Sequence, residues 1–317
     1  MELLLKKHRE LKFESSDTMG RSDLLKMIFV SFLWALCFPL IKVGLASGTS
    51  PLVFVTLRSL VASIVLFAVA IQRKEPIAET RKHWPLLCAI GLAAFFGYFG
   101  MVLGGASVNP GIASVISYSH PIVASILAVL FLSESLSFPK IAGLILGFAG
   151  VVASSVPSLL GETSNSFTGI GLILISAVAT GVGNVLFKKI SNSKFPISVV
   201  AIQFAMSSLL LLLTALLFER PLVINWDIGF ILSLLGLSIG ATALADIIWL
   251  DLLNRNSLTK LNIFIFLTPA ISLVIGILFF KERLGAWEII GISTILVGVL
   301  IILRYRKEKF RNLDAAG

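Results

Sequence analysis

The sequence predicts an all-α polytopic membrane protein: ten transmembrane helices, arranged as two inverted five-helix repeats around a central cavity. Three observations predict it: a composition too apolar for water, ten apolar runs of spanning length, and an internal repeat whose copies are separated by an odd number of spans. Of 317 residues, 57% are hydrophobic and 14% charged, whereas a soluble domain carries about 25% charged residues. That excludes an ordinary water-soluble enzyme and leaves no room for a large extramembrane domain. A helix rising about 1.5 Å per residue needs about 20 apolar residues to cross the hydrocarbon layer.

Such runs lie at about 26–46, 51–71, 85–105, 110–132, 138–157, 168–188, 196–218, 228–250, 259–280 and 285–303, and are numbered here as spans 1 to 10. Charges, Pro, Gly or Asn bound each of them. A polar stretch from Ser158 to Thr168 divides the spans five and five. The expected organisation is a tail at 1–23, a first five-helix unit at 24–157, a linker at 158–167, a second unit at 168–303 and a tail at 304–317. The opening segment is too polar and too long for the n-region of a cleaved signal peptide.

Charge placement sets the expected orientation. With the N-terminus on the cytoplasmic side, 21 of the 26 Lys and Arg residues fall on that face and three, Arg220, Lys281 and Arg283, on the other, while Lys42 and Arg58 lie within spans 1 and 2. The positive-inside rule then puts both termini in the cytoplasm, in a multi-pass protein of the cell membrane. The net charge of +9 is therefore a matter of orientation and not a sign of nucleic acid as a partner; the lipid bilayer is the partner.

The repeat is visible within the chain. Residues 120–152 superpose without gaps on 268–300 at an offset of 148, with Pro121/Pro269, Glu134/Glu282, Gly143/Gly291 and Gly150/Gly298 among the coincidences. Upstream, Pro51/Pro196 and Arg58/Gln203 align at an offset of 145. Because each half has an odd number of spans, the second copy enters the membrane from the opposite side. Inverted repeats of this kind let a protein alternate access to a midplane site.

Span 1 carries Trp34-Ala35 and Phe38-Pro39-Leu40-Ile41-Lys42, span 2 carries Leu57-Arg58-Ser59, and both halves contain Pro-(x)12-Glu-(x)8-Gly. On these residues the chain, from about 24 to 303, resembles the EamA branch of the drug/metabolite transporter superfamily. The resemblance implies a secondary carrier or exporter of small organic metabolites such as amino acids, with a basket of helices around a cavity lined by spans 1, 3, 4, 6, 8 and 9. On those spans Trp34, Phe38, Phe95, Tyr98, Phe99, Tyr118, Asn184, Trp249, Asn262 and Phe266 supply aromatic faces and a few amides, a mix suited to an amphipathic solute. Many of these aromatics are equally well read as packing or headgroup-level residues, Trp249 above all.

Ionisable groups inside the membrane are costly and therefore point to function. His120 lies about 15 Å into span 4, next to Pro121, Ser117, Tyr118 and Ser119. It is expected either to line the cavity, where it is a candidate for proton coupling, or to sit as a neutral core histidine bonded to a neighbour. Asp246 is expected about one turn from the cytoplasmic end of span 8, as a ligand or as an interfacial carboxylate, with Asp251 at the boundary. Arg58 is the deeper of the two intramembrane cations and matches the family's span-2 arginine. Lys42 is expected to snorkel to the headgroups. An organic-anion or phosphate-ester exchanger using Arg58 and Lys42 is the alternative function.

Glu134 and Glu282 are expected to accept the amides that open spans 5 and 10. Cys37 and Cys88 read as small buried hydrophobes. The three histidines, His8, His83 and His120, are dispersed, and there is no H-E-x-x-H or G-x4-GK-[ST] motif. No metal, cofactor or catalytic centre is expected. Gly100-x3-Gly104 and Gly143-x3-Gly147 predict close helix contacts, which are assigned to packing within a monomer.

Overall fold

A computed structural model describes residues 19–105, 107–108, 110–160, 166–191, 193, 196–280 and 285–314. The tail 1–18, most of the linker, Glu282 and the side chain of Phe38 lie outside the described residues. Ten helices among the described residues are long and apolar enough to span a membrane. They are α1a (Arg21–Ala35) with α1b (Cys37–Leu45), α2 (Pro51–Gln72), α3 (Trp84–Gly105), α4a (Pro110–Ser117) with α4b (His120–Leu132) and α5 (Phe138–Leu159). Then follow α6 (Phe167–Ile190), α7 (Pro196–Phe218), α8 (Ile228–Arg255), α9a (Leu258–Ile265) with α9b (Leu267–Phe280) and α10 (Ala286–Asp314). We call the side where α1a begins and α10 ends the terminal face, and the other side the linker face.

Three spans are broken, each three residues before a proline: at Leu36 before Pro39, at Tyr118 before Pro121 and at Phe266 before Pro269. Proline donates no amide hydrogen and its ring crowds the carbonyl one turn back, so the ladder opens just upstream. The fourth equivalent span, α6, has Asn184 where the repeat offset would place Pro39 and runs unbroken. In α8 the turn widens to π geometry over Gly236–Leu244 before α-helix resumes at Ala245.

In lipid, helices associate through close packing and polar contacts rather than through exclusion of water. The longest interfaces join α5 to α10, α3 to α6 and α2 to α7, each pairing one half of the chain with the other. Gly100 and Gly104 on α3 face the backbone of α6 at Leu172 and Gly169, and Gly150 on α5 faces Gly291 on α10. A methyl group at either α3 glycine would collide with a carbonyl oxygen. Both glycine motifs are thus occupied inside the chain, the Gly143 pair by Ile263 and Phe266.

Carboxylates tie the halves together at the membrane faces. After α2, Glu75 accepts the opening amides of α7 from Ile197 (3.2 Å) and Ser198 (2.7 Å). After α7, Glu219 accepts the opening amides of α2 from Leu52 (2.7 Å) and Val53 (3.2 Å). Glu134 follows the same chemistry but corrects the sequence expectation. It does not cap α5; it accepts Leu258 N (2.6 Å) and Thr259 N (3.0 Å), the first amides of α9a. The cause is Ser133, whose left-handed backbone (φ 55°, ψ 32°) turns the chain sideways out of α4b toward the other half.

Candidate functional site

A cavity of about 300 Å³ lies between α1, α2, α3, α4, α6, α7, α8 and α9. Its walls carry Trp34, Arg58, Tyr98, Ser117, His120, Asn184 and Asp246, all anticipated from the sequence. Phe95, Phe99, Asn262 and Phe266 are not among its lining residues, which corrects the expectation for these four. Phe99 faces α3 and α7 neighbours, stacking on Phe95 with ring centroids 5.3 Å apart. Phe266 is fully buried at the α9 break against Gly147, and Asn262 is buried against α4b. Trp249 is buried in the core, edge-on to Trp34 at 5.3 Å, as the packing reading has it.

Arg58 lines the cavity from α2. Its Nε donates to Thr242 Oγ1 (3.1 Å) in the widened turn of α8, and a terminal nitrogen donates to Cys37 Sγ (3.7 Å) at the α1 break. The guanidinium lies 5.5 Å from the centre of the Tyr98 ring, within range of a cation–π attraction. Two irregular backbone features, the α1 break and the π turn, thus position the partners of one cation. Irregular backbone at this depth is tolerated where it borders a cavity.

Asp246 lies deeper than expected. The sequence reading ended span 8 near residue 250, but α8 continues to Arg255, so Asp246 sits about two and a half turns inside the helix. Asp251 permits the extension because it pairs with Lys26 (2.6 Å) and Arg255 (2.8 Å). Among the described residues Asp246 forms no ion pair, and it faces the cavity together with Arg58. Lys42, in contrast, is exposed and outside the cavity.

His120 opens α4b at the break. Its Nδ1 lies 2.8 Å from the carbonyl oxygen of Ser117. Only a protonated nitrogen can bond a carbonyl, so Nδ1 carries the hydrogen and Nε2 is left for the cavity. The ring both lines the cavity and holds the local bond that the core reading assigned to it.

Sequence reasoning missed Gln203 and Thr268, which also line the cavity. They stand at the repeat offsets from Arg58 and His120, so the repeat itself was the signal that would have found them. The first half supplies a cation and an imidazole; the second supplies a neutral amide and a hydroxyl at the matching places.

The two halves are buried differently. Every residue from Asn256 to Ala270, the terminal-face half of span 9, is buried. The corresponding part of span 4, Ala113–Ser117 near the linker face, is half-buried throughout. The cavity is closed toward the terminal face and borders the looser helix α4a.

Ten spanning helices around a solute-sized, mixed aromatic and charged cavity define a membrane transport protein. The model of the EamA-like transporter family matches residues 22–156 and 167–304; the chain belongs to that family, whose members are transporters and not enzymes. It is 30% identical to an uncharacterized transporter, YvbV, of Bacillus subtilis (strain 168), over 92% of this chain and 94% of the relative. It is also 30% identical to a probable amino-acid metabolite efflux pump of Escherichia coli (strain K12), over 91% of this chain and 98% of the relative. A solved crystal structure, 18% identical, shares the fold with a TM-score of 0.79, covering 92% of this chain and 99% of that one.

Proposed function

We propose that this chain exports small zwitterionic metabolites of the amino-acid class, by alternating access of two inverted five-helix repeats. The observation that carries this reading is that Arg58 and Asp246 both face one largely apolar cavity without bridging to each other. Arg58 supplies a planar cation for a carboxylate, Asp246 an unpaired anion for an ammonium group, and Trp34, Tyr98, Tyr118 and Phe187 an apolar wall for the side chain. An α-amino acid presents those three surfaces. The relatives named as efflux pumps agree with export. So does the charge bias, which makes the closed terminal face cytoplasmic and leaves the cavity in the form from which an exporter releases its solute.

Exchange of organic anions or phosphate esters is disfavoured. Its second cation, Lys42, is outside the cavity, and Asp246 would repel an anion from Arg58. The reading includes proton coupling through His120, whose Nε2 shares the cavity with Arg58, Asp246, Tyr98, Tyr118 and Cys37.

The test is counterflow of labelled amino acids in proteoliposomes. Aromatic and branched amino acids are expected to exchange, while their decarboxylated and deaminated analogues compete at least about tenfold more weakly, since each leaves one buried charge unpaired. Arg58→Gln and Asp246→Asn should each abolish counterflow. Counterflow supported by phosphate esters or dicarboxylates but not by amino acids would refute the proposal.

A further inference from the structure

The cavity is shut on its terminal side by polar contacts that cross one seam. On one side of the seam stand α4b and α6, on the other α8 and α9a. Innermost, Asn262 Nδ2 on α9a donates to Pro121 O (3.2 Å) and Ser125 Oγ (3.0 Å) on α4b. Further out, Glu134 accepts the Leu258 and Thr259 amides. Beside it, Lys188 at the end of α6 donates to the carbonyls of Leu253 and Asn256 (2.7 Å to the latter), at the end of α8. An anion at a helix N-terminus and a cation at a helix C-terminus are both favoured by the helix dipoles. The contacts of α1a on the same face, Lys26–Asp251 and Asn256–Asp23, join α1 to α8 and do not cross the seam.

Two further features single out this seam. Buried polar atoms without a hydrogen-bond partner among the described residues gather on its α8–α9 side: Trp249 Nε1, Asn256 Oδ1, Ser257 Oγ, Thr259 Oγ1 and Asn262 Oδ1. A permanently dry core that leaves such atoms unsatisfied is costly, each by about 1–3 kcal/mol; a surface that is wetted for part of a cycle is not. The second feature is Ser257. It holds the N-cap position of α9a with extended backbone (φ −67°, ψ 143°), yet its hydroxyl caps nothing. Serine at that position ordinarily accepts an amide from the first turn. Glu134 occupies that role from across the seam.

We infer that Glu134 is the latch of the terminal-face gate and Ser257 its stand-in. With the gate shut, Glu134 caps α9a; when α4b and α9a separate, the Ser257 hydroxyl takes the Thr259 or Lys260 amide, and water reaches the Leu258 amide and the stranded polar groups. Helix α9a then keeps a cap in both states, so the latch can leave without unravelling the helix it held. The inference rests on alternating access as proposed above, but on no particular solute.

The test reads gate opening without any solute. In a Cys37→Ala, Cys88→Ala background, Leu261→Cys places a thiol at a fully buried seam position. Its labelling rate by a water-soluble maleimide is measured in nanodiscs. Glu134→Gln is expected to raise that rate at least about tenfold, the loss expected when a charge-assisted bond becomes a neutral one. Glu75→Gln, which removes a comparable cap at α7 away from the seam, should leave it unchanged. Adding Ser257→Ala to Glu134→Gln should bring the rate back toward that of the parent, because the open form loses its cap. Equal acceleration by Glu75→Gln and Glu134→Gln, or none by either, would overturn the inference and make Glu134 an ordinary structural cap. A solute panel that supports no counterflow sinks the amino-acid reading, while the labelling result stands by itself.

Discussion

Glu75 and Glu219 exchange places across the membrane: each closes the N-terminus of the helix that precedes the other, at opposite ends of the α2–α7 pair. A carboxylate just past the end of each helix, one residue off the repeat offset of 145 that relates α2 to α7, gives this reciprocity. It also makes α2 and α7 a strut clamped at both faces, whereas α4b and α9a meet at the seam, where Glu134 and Asn262 join them. Removal of either clamp strands two buried amides. Glu75→Ala and Glu219→Ala are each expected to cost about 1–3 kcal/mol, read as a lower unfolding midpoint in detergent. The two sites lie about 30 Å apart along the helices, so their effects should add in the double variant.

The α3–α6 contact makes a sharper prediction because its neighbours are backbone. A methyl group added at Gly100 meets the carbonyl of Leu172, which cannot rotate away as a side chain would. Gly100→Ala should therefore force the helices apart and sharply reduce the yield of folded protein on size-exclusion chromatography. Gly171→Ala, one helix away with nothing within 4 Å of the new methyl, should elute as the parent does. Equal behaviour of the two would mean that the interface is not held by backbone approach.

What the sequence made legible follows the range of each interaction. Run length and composition are local, and they located all ten spans. The proline rule is local too, and it accounts alike for the breaks before Pro39, Pro121 and Pro269. Three things were not local. The partner of Glu134 lies 124 residues away, in the other half. The depth of Asp246 depended on Asp251 being neutralised by Lys26 from α1, which allowed a charge to remain inside α8. The directions of Asn262 and Phe266 depended on how α9 rotates about its break, which periodicity through an unbroken span cannot give, and that of Phe99 on which neighbour α3 packs against. The repeat offset would have pointed from Arg58 to Gln203 and from His120 to Thr268.

His120 separates transport from its coupling. Asparagine places an amide nitrogen near the position of Nδ1 and can keep the bond to Ser117 O, but it cannot take up a proton at the cavity. His120→Asn is expected to retain counterflow within about twofold, well under the tenfold that a lost buried bond of about 1.4 kcal/mol would give, and to lose accumulation driven by a pH gradient. Fluxes measured with and without an imposed gradient decide it. Gradient-driven accumulation that survives in the variant removes His120 from the coupling.

Ser133 gives the gate a second handle. A side chain in the left-handed region costs about 1–2 kcal/mol that glycine does not incur, and here that turn aims Glu134 across the seam. Ser133→Gly also loosens the unfolded chain, so the two effects offset and the unfolding midpoint should change little. Gate opening compares two folded states, in which the loosened unfolded chain does not enter. If α4b gives up its left-handed turn as Glu134 lets go, relief of strain favours the closed form alone. Labelling of Leu261→Cys should then slow by about fivefold or more in Ser133→Gly, the factor that corresponds to about 1 kcal/mol. An unchanged rate would place the left-handed turn in both states and leave Glu134 to release by a side-chain rotation.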